Sequence, residues 1–249
     1  MIYPKVSIIT PTYNVENTLQ DTLNSVLNQS YNNIEHIIVD GCSIDNTKKI
    51  LESYNNNNSK ILIESDCGLY DAINKGIQLA TGDIIGILNA DDVFFDNDTI
   101  SNITKHFIND NNLEACYGNI VFISNSNKII RNYNVKNWTI HRFQWGFMPP
   151  HPSFFCKKNV YEKLGLYKID YKIAADFELL IRYLYIHKIK IIYIPLNTTK
   201  MKTGGISTSG FKSIFVLNKE ILRACKSNGL YTNYFMLYLK YFKKILEFI

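Results

Sequence analysis

Residues 6–88 alternate between short β-branched runs and segments whose apolar residues recur with helical spacing. Residues 6–10 are typical of a buried strand, and Leu19, Leu23 and Val26 follow at helical spacing. Residues 61–63 are apolar on both faces, which predicts a strand covered by helices on both sides. The same alternation predicts strands at 34–39, 60–64 and 83–88 and helices at 47–54 and 70–80. Such alternation is typical of βαβ units, so we expect an α/β fold with a mostly parallel sheet flanked by helices.

The pattern changes after residue 92. A helix is predicted near 99–107, followed by a hairpin that pairs 115–124 with 128–133. A loop rich in Trp, Phe, Pro and His follows. The rest of the chain predicts a helix starting near Asp176, a strand at 190–194, a glycine-containing loop at 203–209 and two terminal helices. No internal repeat or long linker divides the chain into independent parts.

Composition narrows the class of protein. The chain has 249 residues, of which 46% are hydrophobic and 20% charged, which is enough for a large globular core. Its start lacks the basic and apolar regions of a secretory signal, and no apolar run approaches the roughly 20 residues that span a bilayer. The five cysteines are scattered, without a CxxC pair. We therefore expect a cytoplasmic protein without disulfides or a zinc site.

The positive charge is concentrated at the C-terminal end. Residues 200–249 hold nine Lys and Arg against two Asp and Glu, whereas residues 1–199 hold 18 against 20. A helix over 233–249 would place these apolar side chains on one stripe: Phe235, Leu239, Phe242, Leu246 and Ile249. Its opposite stripe would carry Lys240, Lys243, Lys244 and Glu247. Such a helix either lies on an anionic membrane surface or docks on the domain or on a second copy in a homodimer.

Polar residues follow the ends of the first four strands. The four segments are Pro11-Thr12-Tyr13-Asn14, Asp40-Gly41-Cys42-Ser43, Ser65-Asp66-Cys67-Gly68 and Asn89-Ala90-Asp91-Asp92. Each aspartate alone is also an ordinary turn residue. Ligands of open parallel sheets bind beyond the carboxyl ends of the strands, so the four segments together predict a site. Several carboxylates there favour Mg²⁺ or Mn²⁺. The glycine-rich phosphate loops GxGxxG and GxxxxGK[ST] are absent from the corresponding positions.

Four segments carry a resemblance to family 2 of the inverting glycosyltransferases, which have the GT-A (Rossmann-like) fold. They are VSIITPTYN (6–14), SVLNQSY (25–31), IIVDGCSIDNT (37–47) and ESDCGLYDAINKGIQLATGDIIGILNADD (64–92). The resemblance runs from Val6 to about Ser207. It implies a catalytic domain over 1–210, with a nucleotide-sugar half at about 1–95 and an acceptor half at about 96–210. Residues 211–249 would form a helical, basic, amphipathic appendage.

The resemblance implies a role for each residue of the donor site. Tyr13 would stack on the nucleobase in a pocket lined by Pro11 and Thr12, and Asp40 would contact the base or ribose. Gly41 departs from the family, which commonly has a second acid there. The remaining donor residues implied by the resemblance are Asp66, Asn74, Lys75, Ala90 and Asp91, and Asp92 would ligate Mn²⁺ or Mg²⁺.

The resemblance places the catalytic base at Asp176, which would take the proton from the acceptor hydroxyl. Ala175 stands where the family has a preceding acid. Aspartate is also favoured at helix N-caps, and the two roles are compatible. Glu178 is predicted to lie at the acceptor site or on the surface. His151 either lines the acceptor pocket or is structural.

A segment with Gly204 and Gly205 resembles the one that closes over the diphosphate in the family. Lys202, together with Lys200, would then contact the phosphates. An ordinary glycine connector is the alternative reading of the same residues.

The resemblance implies transfer of a sugar from a nucleotide diphosphate, with UDP favoured, to a saccharide. The acceptor could be linked to polyprenyl diphosphate, and the product would be a bacterial surface polysaccharide such as an O-antigen or capsule. We expect no nucleic-acid partner, and a location in the cytoplasm or on the inner face of the plasma membrane. Two alternatives remain. A sugar nucleotidyltransferase should have a glycine-rich, Arg-containing first loop, and an inactive binding module would explain the departures at Gly41 and Ala175.

Overall fold

The computed structural model describes residues 3–54, 56–124, 126–202 and 211–246, with the side chains of the last segment described for 212–241. The elements are β1 (Val6–Thr12), α1 (Leu19–Leu27), β2 (Ile34–Asp40), α2 (Thr47–Ser53), β3 (Ser59–Ile63), α3 (Leu69–Leu79), β4 (Ile84–Ile87), β5 (Asp92–Phe94), α4 (Thr99–Asn109), β6 (Ala115–Ile123), β7 (Ile129–Tyr133), β8 (Phe155–Lys157), α5 (Lys158–Leu164), α6 (Ala175–Leu180), β9 (Ile191–Lys202), α7 (Phe211–Ser227) and α8 (Tyr234–Leu246). Two 3₁₀ turns lie at Ile140–Trp145 and His151–Ser153, and a π-helical turn at Ile181–Ile186 continues α6.

The first half of the sheet is parallel, as the sequence predicts. Strands β3, β2, β1 and β4 lie side by side in that order and run in the same direction. The predicted strands and helices of residues 6–88 are therefore confirmed. The predicted apolar face of α1 is also confirmed, since Leu19, Leu23 and Val26 are buried. This order brings the carboxyl ends of all four strands to one edge.

The second half of the sheet is mixed, so the prediction of a mostly parallel sheet holds only for the first half. Strand β8 joins β4 and β6 by antiparallel pairing, and β9 lies parallel to β6 and antiparallel to β5. The predicted hairpin is confirmed as β6 and β7. Strand β9 is longer than predicted, because residues 195–202 continue it between β6 and β5.

Strand β3 corrects one expectation. It lies at the edge of the sheet, and Ile61 and Ile63 are 39% and 43% exposed. The strand is therefore not covered by helices on both faces, although its residues are apolar. The more deeply buried strands are its neighbours β2 and β1.

The two C-terminal helices share the core of the rest of the chain. Ile221, Ala224 and Cys225 of α7 and Leu237 of α8 belong to the same buried cluster as Phe143 and Phe177. Both helices therefore pack into the core. Residues 211–249 are an appendage only in the sense that they follow the predicted catalytic domain in the sequence. The predicted boundary near residue 210 falls outside the described residues and stays a prediction.

The orientation of α8 differs from the predicted one. Leu237 and Lys240 are buried, whereas Phe235 of the predicted apolar stripe is 73% exposed. Lys240 was expected on the solvent side, and instead its ammonium lies over the ring of Tyr241. The other lysines of the predicted basic stripe lie outside the described side chains. Within the described part of the chain, no helix has the length and apolar character needed to cross a membrane.

Candidate active site

The predicted nucleotide pocket lies where β1 and β2 end. Tyr13 follows β1 and is 61% exposed, so one face of its ring is open to a ligand. Pro11 and Thr12 are buried within β1. Of the three residues predicted for this part of the pocket, Tyr13 is therefore the one with an exposed side chain.

Asp40 ties the ends of the two strands together. Its carboxylate is fully buried and accepts hydrogen bonds from the Thr12 hydroxyl at 2.9 Å, the Ser43 hydroxyl at 2.6 Å and the Ser43 amide at 2.8 Å. The structure thus buries Asp40 between the ends of β1 and β2. Its visible function is to fix the backbone that leads to Tyr13.

Gly41 and Asp66 are neighbours across the ends of β2 and β3. A Cβ atom at Gly41 would lie 2.5 Å from Oδ2 of Asp66, which is closer than non-bonded atoms approach. Oδ1 of Asp66 accepts the Gly68 amide at 2.8 Å, which fixes the orientation of the carboxylate. The side chain of Asp66 therefore occupies the space beside Gly41, where the family commonly has a second acid.

Lys75 and Asn74 project to different places from α3. The Lys75 ammonium lies 2.8 Å from Glu64 and donates to the Ser65 carbonyl at 2.7 Å, close behind Asp66. Asn74 is buried, and its amide exchanges two hydrogen bonds with the backbone of Tyr167, at 2.8 and 3.0 Å. Lys75 is thus placed beside the predicted donor wall. Asn74 instead joins α3 to the loop that precedes α6.

The acidic pair after β4 is divided between the surface and the interior. Asp91 is partly exposed, whereas Asp92 and Ala90 are buried. Burial raises the pKa of Asp92 well above its usual value, and the charge of Asp91 adds to this effect. Burial also raises the pKa of Asp91, with an opposing contribution from Lys202. The two carboxyl groups thus have too little positive charge nearby to offset the effect of burial on their pKa values.

Two buried oxygens at this pair have no hydrogen-bond partner, Oδ1 of Asp92 and Oδ1 of Asn89. Carboxylate and amide oxygens are ligands that suit Mg²⁺ and Mn²⁺, so these residues fit the predicted cation in their chemistry. Among the described residues, however, no group of three or more His, Cys, Asp or Glu side chains could hold a metal ion. A cation at this place would need further ligands from the substrate.

Lys202, which was predicted to contact the diphosphate, is the last residue of β9. Its ammonium contacts Asp21 at 3.0 Å, and its charge acts on Asp91. Lys200 lies over the ring of Phe95 at 5.1 Å. Gly204 and Gly205, which were predicted to close over the diphosphate, lie outside the described residues.

Asp176 lies in the first turn of α6, which begins at Ala175. The N-cap residue is Ala174, so the N-cap reading of Asp176 is wrong. Oδ1 of Asp176 accepts the Phe177 amide at 2.7 Å. Burial raises the pKa of Asp176 to about 7, although the hydrogen bonds to its carboxylate act in the opposite direction. A carboxyl group with this pKa can exchange protons near neutral pH.

His151 and Asp176 both interact with a buried tyrosine, Tyr167. Nε2 of His151 is 2.8 Å from the Tyr167 hydroxyl, and Tyr167 stacks on Tyr70 with ring centroids 5.8 Å apart. Burial is the main cause that raises the pKa of both tyrosines, and the charge of Asp176 raises it further. Burial lowers the pKa of His151 to about 4, so its imidazole is neutral at physiological pH. The structure thus brings His151 to the neighbourhood of the predicted base.

Glu178 is not a surface residue. Its side chain is fully buried, and its carboxylate contacts Lys168 at 2.8 Å and Arg182 at 3.1 Å. Burial favours its neutral form, but these two cations hold the pKa of Glu178 below its usual value. Arg182 also donates to the carbonyls of Gly165 and Leu166. The predicted surface position is therefore wrong, and Glu178 anchors the loop before α6.

Two of the residues around Asp176 had weak signals or none in the sequence. Tyr70 donates to the Ile173 carbonyl at 2.5 Å and lies one helical turn before Asn74, so their shared face could have been read from the spacing. Glu220 of α7 accepts the backbone amides of residues 172–174. Nothing in the sequence relates Glu220 to Asp176, since 44 positions and several elements separate them.

The comparisons with known sequences agree on one family. The family model described as Glycosyl transferase family 2 matches residues 7–167. A "PGL/p-HBAD biosynthesis glycosyltransferase" of Mycobacterium bovis is 30% identical over 188 residues, which cover 73% of this chain and 70% of the relative. TuaG of Bacillus subtilis, which is assigned to teichuronic acid biosynthesis, is 41% identical over 92 residues, 36% of each chain.

Solved structures show the same fold. Staphylococcus aureus TarS 1–349 in complex with UDP-GlcNAc superposes with a TM-score of 0.66 at 19% identity, over 88% of this chain and 66% of TarS 1–349. The mannosyltransferase PcManGT of Pyrobaculum calidifontis, in complex with GDP-Man and Mn²⁺, gives 0.66 at 18% identity, over 91% and 64%. The match covers 40% of the longer TarS chain. The mixed sheet flanked by helices is therefore the GT-A fold.

Proposed function

The chain belongs to glycosyl transferase family 2, and on this premise we propose that it transfers a sugar from a nucleoside diphosphate to a saccharide hydroxyl with inversion. A UDP-sugar is the favoured donor, because TarS was solved with UDP and UDP-GlcNAc. PcManGT was solved with GDP-Man, so GDP-sugars form the competing class. The family assignment removes the support for a sugar nucleotidyltransferase.

The observation that carries the proposal is the environment of Asp176. In an inverting transfer the acceptor oxygen attacks the anomeric carbon, and the bond from that carbon to the diphosphate oxygen breaks. The hydroxyl proton moves to the carboxylate of Asp176. A base with a pKa of about 7 is suited to this step, because about half of it is ionised at neutral pH and the ionised form is still basic enough to accept the proton.

The donor is proposed to lie along the carboxyl ends of β1 to β4. Tyr13 would stack on the nucleobase, while Asp66 and Asp91 would face the ribose and sugar. The charge of Lys202 acts on Asp91, and the charge of Asp66 acts on Lys75. The charges of Lys202 and Lys75 would offset part of the charge of the diphosphate.

Asp92, with Asn89, would hold a divalent cation. The two buried oxygens without partners support this assignment. When bound, the cation would neutralise charge on the leaving diphosphate. Lys202, whose charge already acts on Asp91, would contribute to the same neutralisation from the end of β9.

The acceptor is proposed to be a saccharide that is being built into a bacterial surface polysaccharide. The names of the mycobacterial and Bacillus relatives support this class of product. His151 would line the acceptor pocket, since it lies beside Tyr167 near Asp176. As a neutral imidazole it would position a hydroxyl by hydrogen bonding.

The exposed face of α8 supports an acceptor that is linked to a lipid. Tyr231, Tyr234, Phe235 and Tyr238 are all at least 42% exposed at or near this helix. Together with the basic charge of residues 200–249, these aromatic side chains would hold the enzyme on the inner membrane face. A homodimer through the same face is the competing explanation.

The proposal is tested by direct transfer assays. The purified chain is incubated with UDP- and GDP-sugars, Mn²⁺ and saccharide acceptors, and release of the nucleoside diphosphate is followed. We expect release that depends on the acceptor and stops with chelator, and a product whose anomeric configuration by NMR is opposite to that of the donor. Donor binding without release across the panel would indicate an inactive binding module. Retained configuration would contradict inversion.

A further inference from the structure

Glu220 is a buried carboxylate that binds the backbone just before α6. It lies on α7 and is 9% exposed. Oε1 accepts the amide of Lys172 at 2.8 Å, and Oε2 accepts the amides of Ile173 and Ala174 at 2.9 and 3.0 Å. Three amide hydrogen bonds to one carboxylate define the position of that backbone closely, because hydrogen bonds to a charged acceptor are short and strong.

The segment that Glu220 holds leads directly to Asp176. Ala174 is the N-cap residue of α6, and its own side chain cannot cap the helix. Glu220 instead accepts the amide of the N-cap residue and the two amides before it, so it fixes the backbone that enters the helix. The other face of the segment is fixed by the Tyr70 hydroxyl, which donates to the Ile173 carbonyl. The start of α6 is thus clamped between α3 and α7.

We propose that Glu220 is a positioning residue for glycosyl transfer, which orients Asp176 through the backbone of residues 172–174. This inference rests on the proposed role of Asp176 as the base. It also gives the C-terminal helices a part in the active site, although they lie beyond the residues that the family model matches.

The charge of Glu220 also links this residue to Asp176. The groups whose charges or hydroxyls face Asp176 are Tyr70 from α3, Tyr167 from the preceding loop and Glu220 from α7. The pKa of Asp176 is raised chiefly by burial, and the negative charge of Glu220 raises it further. Removal of that charge should move the pKa of Asp176 downward.

The test compares Glu220→Gln with the wild-type chain well below the melting temperature of both. We expect kcat to fall roughly 10- to 100-fold, as for a small displacement of a catalytic group. The affinity for UDP should stay within about twofold of wild type. The acid limb of kcat/KM should also move to lower pH. Glu162→Gln is the matched control, because this exposed glutamate lies on α5, and it should behave as wild type.

Glu220→Asp separates position from charge and serves if Glu220→Gln does not fold. It keeps the charge but is one methylene shorter, so kcat should fall while the acid limb stays in place. In an Asp176→Asn background, Glu220→Gln should cause little further loss, because the base is already absent.

Two results separate the possible failures. A folded Glu220→Gln or Glu220→Asp chain with wild-type kcat, beside an inactive Asp176→Asn chain, would overturn the role of Glu220 alone. An active Asp176→Asn chain would overturn the proposed function as well.

Discussion

Asp176 shows how burial can prepare one side chain for chemistry. Its carboxylate accepts hydrogen bonds from backbone amides and from Tyr70, which lower its pKa, but burial outweighs them and the charge of Glu220 raises the pKa further. Glu178 lies two positions further along and faces Lys168 and Arg182, which hold its pKa below the usual value. Two carboxylates on one helix thus have opposite environments, and only the first is suited to act as a base.

The raised pKa predicts the pH dependence of the reaction. The ionised form of Asp176 accepts the proton, so kcat/KM should rise with pH and level off above an apparent pKa of about 7. Below that value it should fall about tenfold per pH unit. A profile that stays flat between pH 5 and 8 under conditions where chemistry limits the rate would contradict the assignment.

The same pKa has a consequence for stability with a defined sign. The pKa of Asp176 is raised from 3.8 to about 7 on folding, so the folded chain binds the extra proton between these values. Its contribution to stability is complete below pH 3.8 and is lost as pH rises to 7. The free energy of unfolding of Asp176→Asn in urea, relative to that of wild type, should therefore increase as the pH rises from 3.8 to 7.

The contact between Gly41 and Asp66 predicts the effect of one added methyl group. In Gly41→Ala the new Cβ would displace the Asp66 carboxylate, which is a flexible group, so folding should survive. UDP affinity by calorimetry should fall about tenfold, if Asp66 makes a charged hydrogen bond to the donor. In an Asp66→Ala background the same substitution should have little effect. Unchanged affinity in Gly41→Ala would remove Asp66 from the donor site.

At the residue scale, the sequence was informative where a side chain acts at the end of a strand or helix. Tyr13 and Asp176 lie in positions that suit their predicted roles. The contacts of Asn74 and Glu178 could not be predicted in this way. Asn74 binds the backbone of Tyr167 and Glu178 binds the side chain of Lys168, and only the folded loop brings these partners near. The spacing of Glu178 and Arg182 by four positions was a signal of an ion pair.

At the scale of elements, long periodic segments were predictable and short ones were not. Strands β5 and β8 have three residues each, too few for a period to be seen. They form because longer strands offer them hydrogen bonds: β8 lies between β4 and β6, and β5 pairs with β9. Helix α8 was predicted as a helix, and the side chains that pack against Gly146 are those of Leu237 and Lys240. Phe235 of the predicted apolar stripe is exposed, so the side of α8 that faces the core is not the predicted apolar stripe.

The exposed face of α8 predicts binding to lipid. Wild-type chain should cosediment with vesicles of anionic phospholipid at low salt, and Phe235→Ser should weaken this binding about tenfold, because it removes the most exposed apolar ring of the face. Phe215→Ser on α7 is the matched control, since Phe215 is also exposed, at 58%. If the wild-type chain does not bind vesicles but sediments as a dimer, and if Phe235→Ser dissociates that dimer, the exposed face of α8 is an interface with a second copy.

At the scale of the whole molecule, the donor and the catalytic base of the proposed reaction are assigned to different parts of the fold. The parallel half, which the sequence predicts well, brings Tyr13, Asp66 and Asp91 to one edge by topology alone. The mixed half and the C-terminal helices hold Asp176, and their arrangement depends on contacts between distant segments. The helices α7 and α8 are part of this arrangement because they share the core that surrounds Phe143 and Phe177.

The central claim is that Asp176 takes the proton from the acceptor, and turnover of Asp176→Asn tests it most directly. Asparagine is nearly isosteric and keeps an oxygen for the Phe177 amide, so the fold should be retained. The nucleotide contacts proposed here lie at the strand ends, so UDP affinity should stay within about twofold of wild type. We predict that turnover falls by roughly 10²–10⁴. An Asp176→Asn enzyme with near-normal turnover and normal UDP binding would contradict the account.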